Sequence, residues 1–296
     1  MSSFYKLGVI GSPIGHSLSP KIHKTFANNL GLQVSYEAIE VKENESESVI
    51  TNLFDQGFIG LNVTLPLKEA AHALAENLSI EAQNCGSVNT LWKEKDTLCA
   101  DSTDGRGLVR DLESKGIDIG DKNILLLGAG GSAKAVIPSL LKSKPKMLTI
   151  ANRTPEKAIT LANKFASGEC EVNVAAMDTR LNSEPNLIIN TTSAGILKQA
   201  IELPENLFSD NVFVYDLSYS FQMTPFNKIA KEAGAADVAL YEGHSKGGDG
   251  AIELANAVSK AVQRHMAVGR PFNPLFDGNA PVIEKIESIA KSMYGA

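Results

Sequence analysis

Short apolar runs alternate along this chain with stretches whose apolar residues recur every three or four positions. Residues 6–10 (KLGVI) have the length and content of a buried strand. From Ser19 and Pro20 the period changes. Ile22, Phe26 and Leu30 fall four apart on one helical face, with Ser19 as N-cap, Pro20 at the first helical position and Gly31 where a C-cap glycine belongs. Strands are predicted at 35–40 and 60–64. Beyond residue 120 the alternation sharpens: a strand at 124–127, a helix at 132–141 that Pro138 shortens or kinks, a strand at 148–151, and a helix at 155–165 capped by Thr154. Strands at 172–175, 187–190 and 212–215 follow, then a helix opened by Thr224 and Pro225 and closed by Gly234. The order β-α-β-α-β is that of a doubly wound nucleotide-binding unit, so the fold class is α/β with a parallel sheet. Residues 250–296 read as helical, with Ile252, Ala255, Val258 and Val262 on one face and Val282, Ile283, Ile286, Ala290 and Met293 on another.

The chain has 296 residues, a length that suggests two domains. The expected division is a first domain of residues 1–104 plus 245–296 and a doubly wound domain of residues 105–244. With 43% hydrophobic and 21% charged residues the composition is that of a globular protein. A net charge of −6 argues against nucleic acid as a partner held by charge. Nowhere do 18 apolar residues run together, and the apolar part of the N-terminus is too short for a signal peptide, so a cytoplasmic protein without a membrane span is expected. The three cysteines form no CxxC pair and the five histidines no HxxxH pair, so neither a disulfide framework nor a metal site is expected.

The segment ILLLGAGGSAKA carries Gly128, Ala129, Gly130, Gly131, Ser132 and Ala133, which fit the G-x-G-x-x-A form of the dinucleotide fingerprint. Glycine is needed where the backbone turns tightly and approaches a pyrophosphate, and the helix that follows offers unpaired N–H groups and the positive end of its dipole. The predicted strand before it and helix after it supply the context the fingerprint requires. At the end of the next strand an acidic residue would bind the ribose 2′-hydroxyl of NAD. This chain instead has Asn152, Arg153 and Thr154. A neutral side chain removes repulsion and an arginine can pair with a 2′-phosphate, so the expected cofactor is NADP.

Four short motifs precede this loop: SPIGHSLSP at 12–20, NVTLPLKE at 62–69, GSVNT at 86–90 and STDG at 102–105. Taken singly, Ser17 and Ser19 read as capping hydroxyls, Lys68 as a surface lysine, Asn89 as a turn residue and Asp104 as a helix N-cap. Taken together and in this order, with the glycine loop, NRT at 152–154, NTTSAG at 190–195 and YDLSY at 215–219, they resemble shikimate dehydrogenases from about residue 7 to about residue 240.

That resemblance implies a substrate domain beside a Rossmann-type NADP-binding domain. It implies reversible, NADP-dependent reduction of 3-dehydroshikimate to shikimate in aromatic amino-acid biosynthesis, with Lys68 and Asp104 as the acid–base pair. It further implies that Ser17, Ser19 and Tyr219 hold the substrate carboxylate and that Thr64 and Asn89 bind ring hydroxyls. Thr192, Ser193 and Leu217 join the glycine loop around the cofactor. No metal is implied, because lysine supplies the positive charge. The chain is expected to be a monomer or homodimer.

Three positions depart from the family pattern. Asp249 aligns with a glutamine that reaches substrate in the family, Ser102 stands where asparagine is usual, and Phe221 where proline is usual. An ionised aspartate accepts hydrogen bonds but donates none, so Asp249 is either a substrate contact with altered preference or a solvated helix cap. A paralogue acting on quinate, an aminoshikimate or another cyclic polyol acid stays open on this ground. A non-catalytic NADP-binding regulator is a further alternative.

Overall fold

The computed structural model describes residues 4–240, except 16, 31, 167–169, 178–180, 182, 195–202, 204–206, 219–222 and 236. The chain divides between Asp104 and Gly105 into two compact units. In the first, β1 (Phe4–Gly11), α1 (Ser19–Leu30), β2 (Gln33–Glu40), α2 (Ser46–Asp55), β3 (Phe58–Val63) and α3 (Lys68–Leu74) are followed by β4 (Asn77–Leu78), α4 (Ile80–Cys85), β5 (Thr90–Glu94) and β6 (Thr97–Asp101). Their six strands form one sheet in the order β2-β1-β3-β5-β6-β4. β1 lies parallel between β2 and β3, with Ile10 opposite Val63.

The parallel sheet expected from the sequence holds for this half only in part. β5 runs antiparallel to β3, and β5 and β6 form an antiparallel hairpin closed at Lys95, whose φ of 58° suits a tight turn. The charged run Lys93–Asp96 at that turn hides the strand pattern. Ile10, Leu61, Val63 and Leu91 pack with Ile50, Leu53 and Phe54 of α2, while Leu7 and Val9 pack against Tyr36.

The second unit opens within α5 (Asp104–Ser114), whose first residue belongs to the first unit. It continues through β7 (Asn123–Leu127), α6 (Gly131–Lys142), β8 (Met147–Ala151), α7 (Pro155–Phe165), β9 (Glu171–Ala175), β10 (Leu187–Asn190), β11 (Phe213–Asp216), α8 (Pro225–Glu232) and β12 (Asp237–Leu240). All six strands are parallel, in the order β12-β11-β10-β7-β8-β9. Read from β9 and renumbered within the unit this is 3-2-1-4-5-6, the doubly wound arrangement with its strand order reversing beside β7. The continuous apolar runs follow from burial on both faces. Ile124 and Leu126 pack toward α6 and α7, and Leu125 and Leu127 toward Phe226 and Ala230 of α8.

Helix ends differ from expectation in three places. Ser19 is the first residue of α1 rather than its cap: the Ser17 hydroxyl accepts the Ser19 N–H at 3.3 Å, and the Leu18 carbonyl accepts from Ile22 at 3.1 Å. Thr154 stands at the N-cap of α7 with extended dihedrals, but its side chain makes no capping bond. α6 runs its full length through Pro138. Thr224 does cap α8, accepting the Asn227 N–H at 3.2 Å, and Gly234 ends that turn with φ 89°. The predicted cap Gly31 and the helices predicted for 250–296 lie outside the described residues.

Candidate active site

The carboxyl ends of β1 and β3 lie side by side in the first unit and carry two of the motifs. The approach is close: a Cβ on Gly11 would stand 2.5 Å from Thr64 Cγ2 and 2.8 Å from the Leu65 carbonyl. Only glycine lets these two strand ends meet. Ser12 N–H donates to the Leu65 carbonyl at 2.8 Å, which ties the loop of Ser17 and Ser19 to the loop of Thr64. Ser17 and Thr64 are half-buried and Ser19 is buried.

Lys68 opens α3, where the positive end of the helix dipole opposes a cation by about 0.3–1 kcal/mol. A partner offsets this. Lys68 Nζ lies 2.5 Å from Asp104 Oδ2, with side-chain exposures of 13% and 27%. The other carboxylate oxygen, Oδ1, accepts from Asn89 Nδ2 at 2.7 Å. Asn89 is itself firmly held. Its Nδ2 also reaches Thr103 Oγ1 at 2.7 Å, its Oδ1 accepts from the Thr103 N–H and from Thr90 Oγ1, and its backbone N–H donates to the Asp101 carbonyl at 3.0 Å. The result is a charged, partly exposed pair on a fixed support. An ammonium with three protons, one engaged by Asp104, can give another to an oxygen brought beside it.

In the second unit the glycine turn has the form a dinucleotide needs. Gly128 has φ 107°, a conformation strained for any side chain, and a Cβ there would stand 2.6 Å from Thr191 Oγ1. Gly130 is the N-cap of α6, with extended dihedrals and open space around its Cα. A glycine cap brings no side chain to the helix N-terminus, which leaves room for a pyrophosphate there. Ala133 is fully buried and Ala129 nearly so, so larger side chains would push α6 off the sheet. Past β8, Asn152 Nδ2 donates to the Thr154 carbonyl at 2.9 Å, shaping the turn that presents Arg153 to solvent.

Among the sequence candidates, Lys68, Asp104 and Asn89 come into direct contact, and Thr192, Ser193 and Leu217 follow the ends of β10 and β11, the strands beyond β7. Tyr219, Phe221 and Asp249 lie outside the described residues. Several buried polar groups carry no motif-based role in the sequence. Tyr36 donates to Asn62 Oδ1 at 2.5 Å and stacks on His23 with ring centroids 4.3 Å apart. Burial lowers the His23 pKa to about 3. Asp111 accepts from Tyr215 at 2.5 Å and Lys115 at 2.7 Å. Its only sequence signal is an acid sharing the buried face of Leu108 and Leu112.

Residues 9–91 match the shikimate dehydrogenase substrate binding domain, and residues 111–240 match shikimate / quinate 5-dehydrogenase. A third family, formate–tetrahydrofolate ligase, matches residues 206–296, so residues 206–240 match two families and Asp249 falls only within the third. The chain is 44% identical over 237 residues to the NADP(+) shikimate dehydrogenase of Legionella pneumophila strain Corby, spanning 79% of this chain and 86% of that one. It is similar to a crystallised shikimate dehydrogenase in complex with NADP+, at 28% identity and a TM-score of 0.77, covering 100% of this chain and 98% of the other. It is also similar to the shikimate 5-dehydrogenase of Thermus thermophilus solved with NADP(H) and shikimate, at 28% identity and a TM-score of 0.73, covering 98% and 100%.

Proposed function

Because this chain belongs to the shikimate dehydrogenase family, we propose that it is an NADP-dependent oxidoreductase that interconverts 3-dehydroshikimate and shikimate. The observation that carries this reading is the Lys68–Asp104 pair, 2.5 Å apart and braced by Asn89. When bound, NADPH supplies the hydride. Lys68 Nζ gives a proton to the ketone oxygen as that oxygen gains negative charge, and its own charge stabilises the alkoxide as it forms. In the reverse direction the same nitrogen takes the hydroxyl proton. Asp104 orients the ammonium and accepts from a ring hydroxyl, while Asn89 keeps the carboxylate from rotating away.

Ser17, Ser19 and Tyr219 are assigned to the substrate carboxylate, and Thr64 and Asn89 to ring hydroxyls. Residues 128–133 cradle the pyrophosphate. Asn152, Arg153 and Thr154 take the 2′-phosphate, and Thr192, Ser193 and Leu217 the nicotinamide side. The residues present fit this group: a turn that only glycine can make, a helix N-terminus capped by glycine and a neutral ribose position beside an exposed arginine. Residues 1–104 plus 245–296 are accordingly assigned to substrate and 105–244 to cofactor.

We take the enzyme to be cytoplasmic and a monomer or homodimer. Cys85, Cys99 and Cys170 are unlinked, as expected of a reducing compartment, and no described helix is long and apolar enough to cross a membrane.

A second reading, a paralogue acting on another cyclic polyol acid, finds support in the C-terminal part. The shikimate match ends at residue 240, and Asp249, which aligns with a substrate-contacting glutamine of the family, lies beyond it. Initial rates with shikimate, quinate and an aminoshikimate, each with NADP and with NAD, separate the two. The proposal expects the highest kcat/KM with shikimate and NADP. A higher value with quinate or an aminoshikimate transfers the assignment to the paralogue.

A further inference from the structure

Asp216 ends β11 with no exposed surface, and nothing in the acid–base chemistry uses it. Donors from three elements converge on its carboxyl. Thr224 Oγ1, at the start of α8, donates to Oδ2 at 2.6 Å; the Ser218 N–H donates to Oδ1 at 2.9 Å and Asn190 Nδ2 to the same oxygen at 3.0 Å. Burial pushes its pKa up, and these hydrogen bonds pull it back down.

The amide of Asn190 passes the constraint onward. Its Oδ1 accepts from Thr192 N–H at 3.0 Å and Thr192 Oγ1 at 2.7 Å, while its carbonyl accepts from the Leu217 N–H at 2.9 Å. Thr191 Oγ1 donates to the Leu127 carbonyl at 2.7 Å, and the Thr191–Thr192 turn lies where a Cβ on Gly128 would be. One buried carboxyl thus fixes the ends of β10 and β11, the start of α8 and the wall of the glycine turn.

In a doubly wound sheet the two halves each receive one nucleotide of the dinucleotide, across the point where the strand order reverses. β7, β8 and β9 carry the glycine turn and Asn152–Thr154, the adenosine half. The ends of β10 and β11 belong to the other half. We infer that Asp216 is a positioning residue for the nicotinamide half of the cofactor, acting through Asn190 and Thr192; this rests on the NADP reading above.

The test is binding of two ligands to the full chain: NADP, and adenosine 2′,5′-bisphosphate, which has the adenosine half alone. Asp216→Asn keeps the shape, but an amide accepts at one end only: with its oxygen toward Asn190 and Ser218 its NH2 meets the Thr224 hydroxyl, and turned round it meets the other two donors. It should weaken NADP about tenfold, as expected when a buried donor loses its acceptor, and change the bisphosphate by less than about twofold. Thr224→Val removes one donor to Asp216 together with the N-cap bond of α8, and should give the same split at about threefold. It decides the matter should Asp216→Asn not fold. Equal loss of both ligands, or no loss of either, overturns the role of Asp216 while leaving the cofactor reading intact. A wild-type chain that binds neither ligand overturns the cofactor reading, and this inference with it.

Discussion

Arg153 is exposed, and its distinguishing feature is its place after β8 beside a neutral Asn152. Losing a charge-assisted pair with the 2′-phosphate costs about 1.5–3 kcal/mol, roughly 10- to 100-fold in affinity. Arg153→Ala should therefore weaken NADP by that factor and leave NAD nearly unchanged, as read by fluorescence titration with each. Equal losses would mean that Arg153 shapes the turn instead of reading the phosphate. Asn89 tests the support of the acid–base pair. Asn89→Ala frees Asp104 Oδ1 and should lower kcat with shikimate about tenfold or more, while NADP affinity stays within about twofold. Undiminished kcat would remove Asn89 from the account. Both residues are legible in the sequence because they stand in short motifs. Asp216 stands in one too, but its partners are 26 and 8 residues away, and its role emerges only when β10 and β11 lie side by side. Tyr36 and Asn62, also 26 apart, are invisible as a pair for the same reason.

At the scale of elements, the strands predicted in the doubly wound unit are legible to within a residue of their ends, whereas β1 and β3 begin two residues earlier than predicted. β10 matches its predicted span, and β7 and β8 each begin one residue earlier. The β5–β6 hairpin is not legible, because its charged turn interrupts the apolar pattern and Trp92 and Cys99 pack on a small face of their own. Helix starts are less distinct, since a hydroxyl near a helix end has several possible donors and the sequence does not choose between Ser17 and Ser19.

His23 and Tyr36 stack and join α1 to β2. The folded-state pKa of His23, about 3, lies below the ordinary histidine value of 6.5. The folded chain therefore disfavours a proton that the unfolded chain accepts. The contribution of this group is fully present above pH 6.5 and is lost as pH falls toward 3, at up to about 1.4 kcal/mol per pH unit. His23→Phe keeps a flat ring on Tyr36 and removes the titration. Denaturant unfolding between about pH 7 and pH 4 should show the wild type losing stability more steeply than the variant. Parallel curves would mean that the imidazole protonates freely in the fold.

At the scale of the molecule, two units each carry half of the proposed chemistry. One holds the charged pair on a mixed sheet, and the other holds the glycine turn on a doubly wound one. The family is legible because its motifs are short, sit at strand ends and follow one another in a fixed order. Beyond residue 240 the legibility ends. Asp249 gains its expected role only by aligning that segment with the shikimate family, whereas residues 206–296 match formate–tetrahydrofolate ligase.

The central claim is that this chain reduces 3-dehydroshikimate with NADPH using Lys68 as its proton donor. Proton transfer by a positioned group is worth roughly 10²–10⁴-fold, and charge stabilisation adds to it. The most direct measurement is steady-state NADPH oxidation by the full chain on 3-dehydroshikimate, wild type beside Lys68→Ala, with NADPH binding to each confirmed by titration. The expected result is turnover by the wild type and a kcat at least about 10²-fold lower in the variant, with a smaller change in KM. Equal turnover by the two proteins, or none by a wild type that binds NADPH, would contradict the account.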